Sequence, residues 1–141
     1  MAKRIFITAT NTDIGKTYTT KLLLKEFASR GFRVGVIKPI ETGVVSNIYL
    51  DGNELLTTIK TLNNEMSEVS MQDIVPISYT LPATPYIASN MKKLDLQIID
   101  KAIKKLEKLC DILLIEGAGG LYVPLDEDYM IIDLIKYFNA N

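Results

Sequence analysis

The chain has no histidine and a single cysteine, Cys110, among its 141 residues. Without histidine there is no imidazole general base, no His-based triad and no His metal site. Lysines, carboxylates, hydroxyls and a bound metal ion are what remain for chemistry. One cysteine excludes an internal disulfide framework and fits a reducing compartment. Because Cys110 falls on an apolar helical stripe, the expectation is a buried, inert thiol. Charge of one sign is also lacking: 16 basic residues stand against 17 acidic ones, a formal net charge of −1. No global field therefore favours nucleic acid or an anionic membrane, and partners must be recognised by sites. No apolar run approaches membrane-spanning length, and Met1-Ala2-Lys3-Arg4-Ile5 enters a strand without the h-region of a signal peptide. The expectation is a cytoplasmic protein with no nucleic-acid or membrane partner.

What is present supports one α/β domain, since 48% hydrophobic residues at this length can bury a core. Three short runs, Arg4 to Thr8, Arg33 to Lys38 and Asp111 to Glu116, are apolar continuously rather than alternately. That pattern predicts parallel strands covered on both faces. Helical spacing appears from Lys16 to Arg30, where Leu22, Leu23, Phe27 and Ala28 recur before Gly31. A second helix is predicted from Asp95 to Leu109, with Lys101, Lys104, Lys105 and Lys108 forming a solvated face. Asp51 to Leu62 also reads as a helix, while Pro76, Pro82 and Pro85 punctuate an irregular or extended stretch. Tyr129 to Phe138 reads as an amphipathic helix. In a doubly wound fold such a helix should feed another strand, so the expectation is a domain truncated at its C-terminal side, with an exposed apolar sheet edge.

The chemistry gathers at the strand ends. Thr8-Ala9-Thr10-Asn11-Thr12-Asp13-Ile14-Gly15-Lys16-Thr17 lies between an apolar run and a helical pattern, the context of a phosphate loop. A helix N-terminus there offers outward N–H groups and partial positive charge to phosphate. Gly15 would allow close backbone approach, Lys16 would reach the outer phosphates, and the Thr17 hydroxyl would ligate phosphate-bound magnesium. The strict pattern G-x-x-x-x-G-K-[ST] wants glycine at Thr10, and the competing reading is an ordinary strand-to-helix turn.

The second strand ends in Lys38-Pro39-Ile40-Glu41-Thr42-Gly43 and the third in Glu116-Gly117-Ala118-Gly119-Gly120. In open α/β sheets ligands sit beyond such carboxyl ends. A carboxylate closing a buried strand beside a phosphate loop is a usual magnesium partner, so Glu116 either takes that role or is an edge carboxylate without a ligand. Lys38 could neutralise a developing anion or snorkel to solvent. Thr42 could hydrogen-bond a substrate or be an ordinary turn hydroxyl. Asp51 could cap the helix that follows it, bind a metal, or do both.

Taken together, these residues resemble dethiobiotin synthetase, the ATP-dependent family that closes the ureido ring in biotin synthesis. The resemblance is carried by Thr10 to Thr17, by Lys38-Pro39 with Thr42-Gly43, by Asp51, and by Glu116 to Gly120 followed by Val123-Pro124-Leu125. It implies a P-loop NTPase-like parallel α/β sheet flanked by helices, working as a homodimer. The implied reaction converts 7,8-diaminononanoate, carbon dioxide and Mg-ATP into dethiobiotin, ADP and phosphate. An amine carbamate forms first, accepts the γ-phosphoryl group, and is then closed by the second amine.

Carried over by this resemblance, Asp13, Ile14, Gly15, Lys16, Thr17 and Tyr18 line the nucleotide together with Asp51, Glu116, Gly117, Ala118 and Gly119. Thr17, Asp51 and Glu116 serve magnesium, Lys38 is catalytic, and Thr42 with Thr12 contacts the diamine. Such chemistry is mainly positioning and electrostatic stabilisation, which needs no histidine. Ala9 stands where many members have glycine. Family chains continue well beyond this one, so the resemblance covers the N-terminal portion of the enzyme and implies that the 141-residue chain makes little product. The competing class is a partitioning-type ATPase switch, whose loop carries an extra lysine where this chain has Asn11. Amidoligases of cobyric acid type are a closer enzyme alternative, but nothing in this chain suggests their glutamine-handling domain.

Overall fold

The computed structural model describes residues 2–9 and 15–141. Thr12, Asp13 and Ile14, three of the expected loop residues, lie outside them. In chain order the elements are β1 (Lys3–Ile7), α1 (Lys16–Ser29), β2 (Val34–Ile37), β3 (Ile40–Thr42), α2 (Leu50–Leu62), a 3-10 turn (Asn64–Met66), α3 (Met71–Ile74), β4 (Ile77–Tyr79), α4 (Pro85–Ala88), α5 (Leu96–Glu107), β5 (Ile112–Glu116) and α6 (Ile131–Tyr137).

The three apolar runs become one parallel sheet in the order β1-β5-β2, with Phe6 and Ile37 both opposite Ile115. β5 lies in the middle, and all five of its residues are buried, as are the four of β2. Helices flank this sheet, as α/β patterning requires. β1 departs from the expectation of full cover: Lys3 is exposed and Ile5 and Ile7 are half-buried, while Phe6 is buried. The physical reason is its place at the sheet edge. Beyond α6 the backbone comes alongside that edge, where the Asn141 N–H donates to Arg4 O at 3.0 Å and its carbonyl accepts from the Phe6 N–H at 2.7 Å. The two bonds flank one residue of β1, the pattern of parallel pairing.

A second, two-stranded sheet pairs β3 with β4 in parallel, Ile40 opposite Ile77 and Thr42 opposite Tyr79. Pro39 has no N–H to continue the β2 ladder. At that point the chain switches partner: the Lys38 N–H donates to Ile74 O at 2.8 Å and the Ile77 N–H to Pro39 O at 3.2 Å.

α5 buries Ile99, Ala102, Ile103 and Leu106 and leaves Lys101, Lys104, Lys105 and Lys108 exposed, a solvated face on which Lys105 pairs with Asp73 at 2.8 Å. Cys110 is buried, and burial pushes its thiol up to about 12, so it is inert at neutral pH. Among the described residues no helix is long and apolar enough to cross a membrane.

Candidate active site

Because β1, β5 and β2 are parallel, their carboxyl ends open on one side of the sheet, above the start of α1. Gly15 precedes that helix at φ 84°, a left-handed conformation that glycine adopts without steric cost. First-turn amides of a helix lack an acceptor within the helix, so those of Thr17 and Tyr18 carry its partial positive charge. The Tyr18 side chain itself is 66% exposed.

Glu116, the last residue of β5, is fully buried and held by three side chains. Its Oε1 accepts from the Thr20 hydroxyl at 3.0 Å, and its Oε2 from the Thr17 hydroxyl at 3.1 Å and Lys38 Nζ at 3.2 Å. Thr17 and Thr20 lie three residues apart on α1, hence on one face. Lys38 is buried just past β2, and its ammonium also lies 3.3 Å from Asp51 Oδ2 and 3.5 Å from Gly117 O. The snorkelling alternative is thereby set aside. Burial pushes the Lys38 pKa down, but the Glu116 and Asp51 carboxylates outweigh it and leave the value above the ordinary lysine range.

Asp51 belongs to the first turn of α2 without capping it. Tyr49 holds the N-cap position with no side-chain cap bond, and the first-turn amides of Asp51 and Gly52 donate instead to Glu41, at 3.2 and 2.8 Å. That frees the Asp51 carboxylate for Lys38.

Lys38, Asp51 and Glu41 open on a cleft of about 490 Å³, with Glu116 buried behind Lys38. Lys16, Lys38, Glu41, Thr42 and Asp51 form its polar side, and Ala118 and Gly119 approach from beyond β5. Its far wall runs from Pro82 to Pro85, where the buried Thr84 hydroxyl has no partner among the described residues. Gly117 is packed inward instead: a Cβ there would lie 3.0 Å from Phe6 Cε1 and 3.3 Å from Ile131 Cγ2. A second cleft of about 480 Å³ follows the exposed lysines of α5 and has no buried polar group in its wall.

The structure thus brings together Lys16, Thr17, Lys38, Thr42, Asp51, Glu116, Ala118 and Gly119. Two further residues belong to the constellation. Thr20 is recoverable from sequence only by projecting Thr17 one helical turn onward. Glu41 has no local signature, because the amides it serves lie 10 and 11 residues along the chain.

Magnesium prefers oxygen ligands and keeps several of its positions for water and phosphate, so few protein donors are needed. A hydroxyl from Thr17 and carboxylates from Glu116 and Asp51 fit that demand. Among the described residues no three or more His, Cys, Asp or Glu gather into a group that could hold a metal ion, so phosphate and water would have to complete any coordination here.

A parallel sheet with Glu116 and Lys38 at its strand ends, above a helix that opens with Gly15, Lys16 and Thr17, defines a phosphate-loop nucleotide-binding α/β fold. The model of the family described as an AAA domain matches residues 3–141, and the chain belongs to that family. It is 45% identical over 132 residues to the ATP-dependent dethiobiotin synthetase of a Sulfurovum species, a match covering 94% of this chain and 62% of the relative. Proteins of the same name from Methanococcus vannielii and Methanocaldococcus jannaschii are 36% and 37% identical, over 96% and 97% of this chain. The chain spans about three-fifths of the length of these curated relatives.

Proposed function

We propose that the chain carries the ATP- and carbamate-handling portion of an ATP-dependent dethiobiotin synthetase. The observation that supports this best is the Lys38 ammonium, buried between Glu116 and Asp51 on the wall of a cleft that also presents Lys16 and Thr42. In the proposed reaction an amine of 7,8-diaminononanoate adds to carbon dioxide and releases a proton, leaving a carbamate anion. A carbamate oxygen then takes the γ-phosphoryl group of ATP, and ADP departs. The second amine attacks the carbamoyl carbon, expels phosphate and closes the ring.

Each step gathers negative charge where fixed positive groups lower its energy. Lys16 holds the outer phosphates, and Lys38 holds the carbamate and the charge that develops during transfer. Glu116 and Asp51 keep Lys38 charged and in place. Magnesium, when bound, neutralises phosphate charge, and Thr17, Glu116 and Asp51 are the residues that would hold it. Thr12 and Thr42 suit the diamine side of the cleft. Asp13, Ile14, Gly15 and Tyr18 belong to the nucleotide side with Ala118 and Gly119, whereas Gly117, packed against Phe6 and Ile131, serves the site through the carbonyl that accepts from Lys38. A cytoplasmic homodimer is part of the same reading.

The test is formation of ADP and dethiobiotin from diaminononanoate, bicarbonate and Mg-ATP. It is run on this chain and on a version completed with the remaining C-terminal part of the Sulfurovum relative. Diamine-dependent ADP formation by the completed chain is expected. ATP hydrolysis indifferent to the diamine would overturn the reading in favour of a partitioning-type ATPase switch.

A further inference from the structure

Resting on the reading of this cleft as a magnesium-nucleotide site, we infer that Glu41 is its positioning residue: reaching from β3, its carboxylate caps α2 and thereby sets Asp51 against Lys38. The first turn of α2 needs an acceptor for its amides, and Tyr49 supplies none from its side chain. Glu41 fills that role from another element, taking the Gly52 N–H on Oε1 at 2.8 Å and the Asp51 N–H on Oε2 at 3.2 Å. Although Glu41 lines the cleft, both its oxygens are engaged by the helix end. Asp51 is itself a capping type of residue, and its own carboxylate instead lies 3.3 Å from Lys38 Nζ.

A serine or aspartate at position 49 could satisfy the same amides without tying α2 to anything. Glu41 ties the helix to β3, whose next residue is Thr42. Two polar residues of the cleft wall, Asp51 and Thr42, are therefore tied to one strand. Gly52 makes the close approach possible, since a Cβ there would lie 3.1 Å from Glu41 Oε1 and 2.8 Å from Val75 Cγ2. Burial raises the Glu41 pKa above the ordinary glutamate value and the Gly52 N–H opposes that rise, the mark of a desolvated carboxylate compensated by backbone donors.

The experiment pairs amide exchange with the magnesium concentration needed for half-maximal binding of a non-hydrolysable ATP analogue. Glu41→Ala is expected to speed exchange at the Asp51 and Gly52 amides about five-fold, the loss of one helix cap. It should also raise the magnesium midpoint by about 10-fold or more, as loss of a residue that orients a metal ligand does. Glu41→Gln keeps its size and one carbonyl oxygen, so exchange should quicken at Asp51 while Gly52 stays protected, with a smaller midpoint shift. Asp126→Asn is the control. Asp126 is another buried carboxylate serving backbone amides, those of Leu94, Asp128 and Tyr129 at 2.7 to 2.9 Å, but it lies outside the cleft. Its loss should lower Tm and leave the magnesium midpoint where it was. Unchanged exchange at Asp51 and Gly52 in Glu41→Ala would overturn the cap, and exposed amides with an unmoved midpoint would overturn the positioning role. If the parent chain bound no magnesium-nucleotide at all, the nucleotide reading would fail, and amide exchange would still decide whether Glu41 holds α2.

Discussion

Two carboxylates reach the same ammonium by different routes. Glu116 ends the central strand of the main sheet, is fully buried, and is fixed directly by Thr17, Thr20 and Lys38. Asp51 sits in the first turn of a helix outside that sheet with its side chain 44% exposed. Its backbone N–H is held by Glu41, while the rest of α2 packs into the core through Leu55 and Ile59. The first arrangement places a charge where it cannot relax. The second leaves a carboxylate free to change partner as a phosphate or metal ion arrives. Rigidity on one side of Lys38 and adjustability on the other would suit the proposed phosphoryl transfer, which needs fixed positioning and an exchangeable partner.

The sharpest way to break this comparison is to neutralise each carboxylate in turn. Glu116→Gln leaves the buried Lys38 with one carboxylate partner, Asp51, and replaces the other by a neutral amide carbonyl. Breaking a buried pair in this way costs about 3–5 kcal/mol, whereas Asp51→Asn, at a half-exposed position that leaves the Glu116 contact intact, should cost about 1 kcal/mol or less. Urea unfolding of both variants measures the difference. Equal losses would mean that the two carboxylates are held alike.

Next in size is Lys38→Ala, read in the completed enzyme described above. In the proposed reaction charge develops on a carbamate beside Lys38 during transfer, so turnover should fall by roughly 10²–10³ while ATP affinity changes little. Normal turnover would remove Lys38 from the chemistry and make it a purely structural partner of Glu116. A smaller effect is expected from Lys16→Ala, which deletes one charge-assisted contact to phosphate. Calorimetry should show magnesium-ATP binding weakened by about 2 kcal/mol, roughly thirty-fold. Unchanged affinity would sink the phosphate-loop assignment.

The Glu116 side of the comparison is legible in the sequence and the Asp51 side is only half so. Val34 to Ile37 and Ile112 to Glu116 are continuous apolar runs, and such runs announce buried parallel strands, so Lys38 and Glu116 stand out as polar residues closing them. β3 and β4 have three residues each, too few for any period to register, and Pro39 disguises the point where the chain changes sheets. Asp51 carries a helix-capping signature that the structure assigns to Glu41, because capping propensity is local and here the cap arrives from another strand. The half-covered β1 was hidden for a related reason: apolar content marks a strand and does not say which strand lies at an edge.

The smallest expected effect tests the adjustable side at its tightest point, Gly52→Ala. Helix propensity favours alanine over glycine by at most about 1 kcal/mol, the value for a helix interior, and Gly52 stands in the first turn of α2. Against that gain stands crowding, since the added methyl would lie 2.8 Å from Val75 Cγ2, 2.9 Å from Met71 Sδ and 3.1 Å from Glu41 Oε1. Met71 can swing aside, but Val75 is branched and 2% exposed, and the Glu41 carboxylate is engaged by two backbone amides. Overpacking of this kind costs about 1–3 kcal/mol, so a net loss of about 1 kcal/mol is expected in urea unfolding. The magnesium midpoint for nucleotide binding should rise with it, because the first turn of α2 must move away from Glu41 to admit the methyl group. An alanine variant more stable than the parent, with its midpoint unmoved, would show that α2 is not pressed against Glu41, and Asp51 would then owe its place near Lys38 to the ion pair alone.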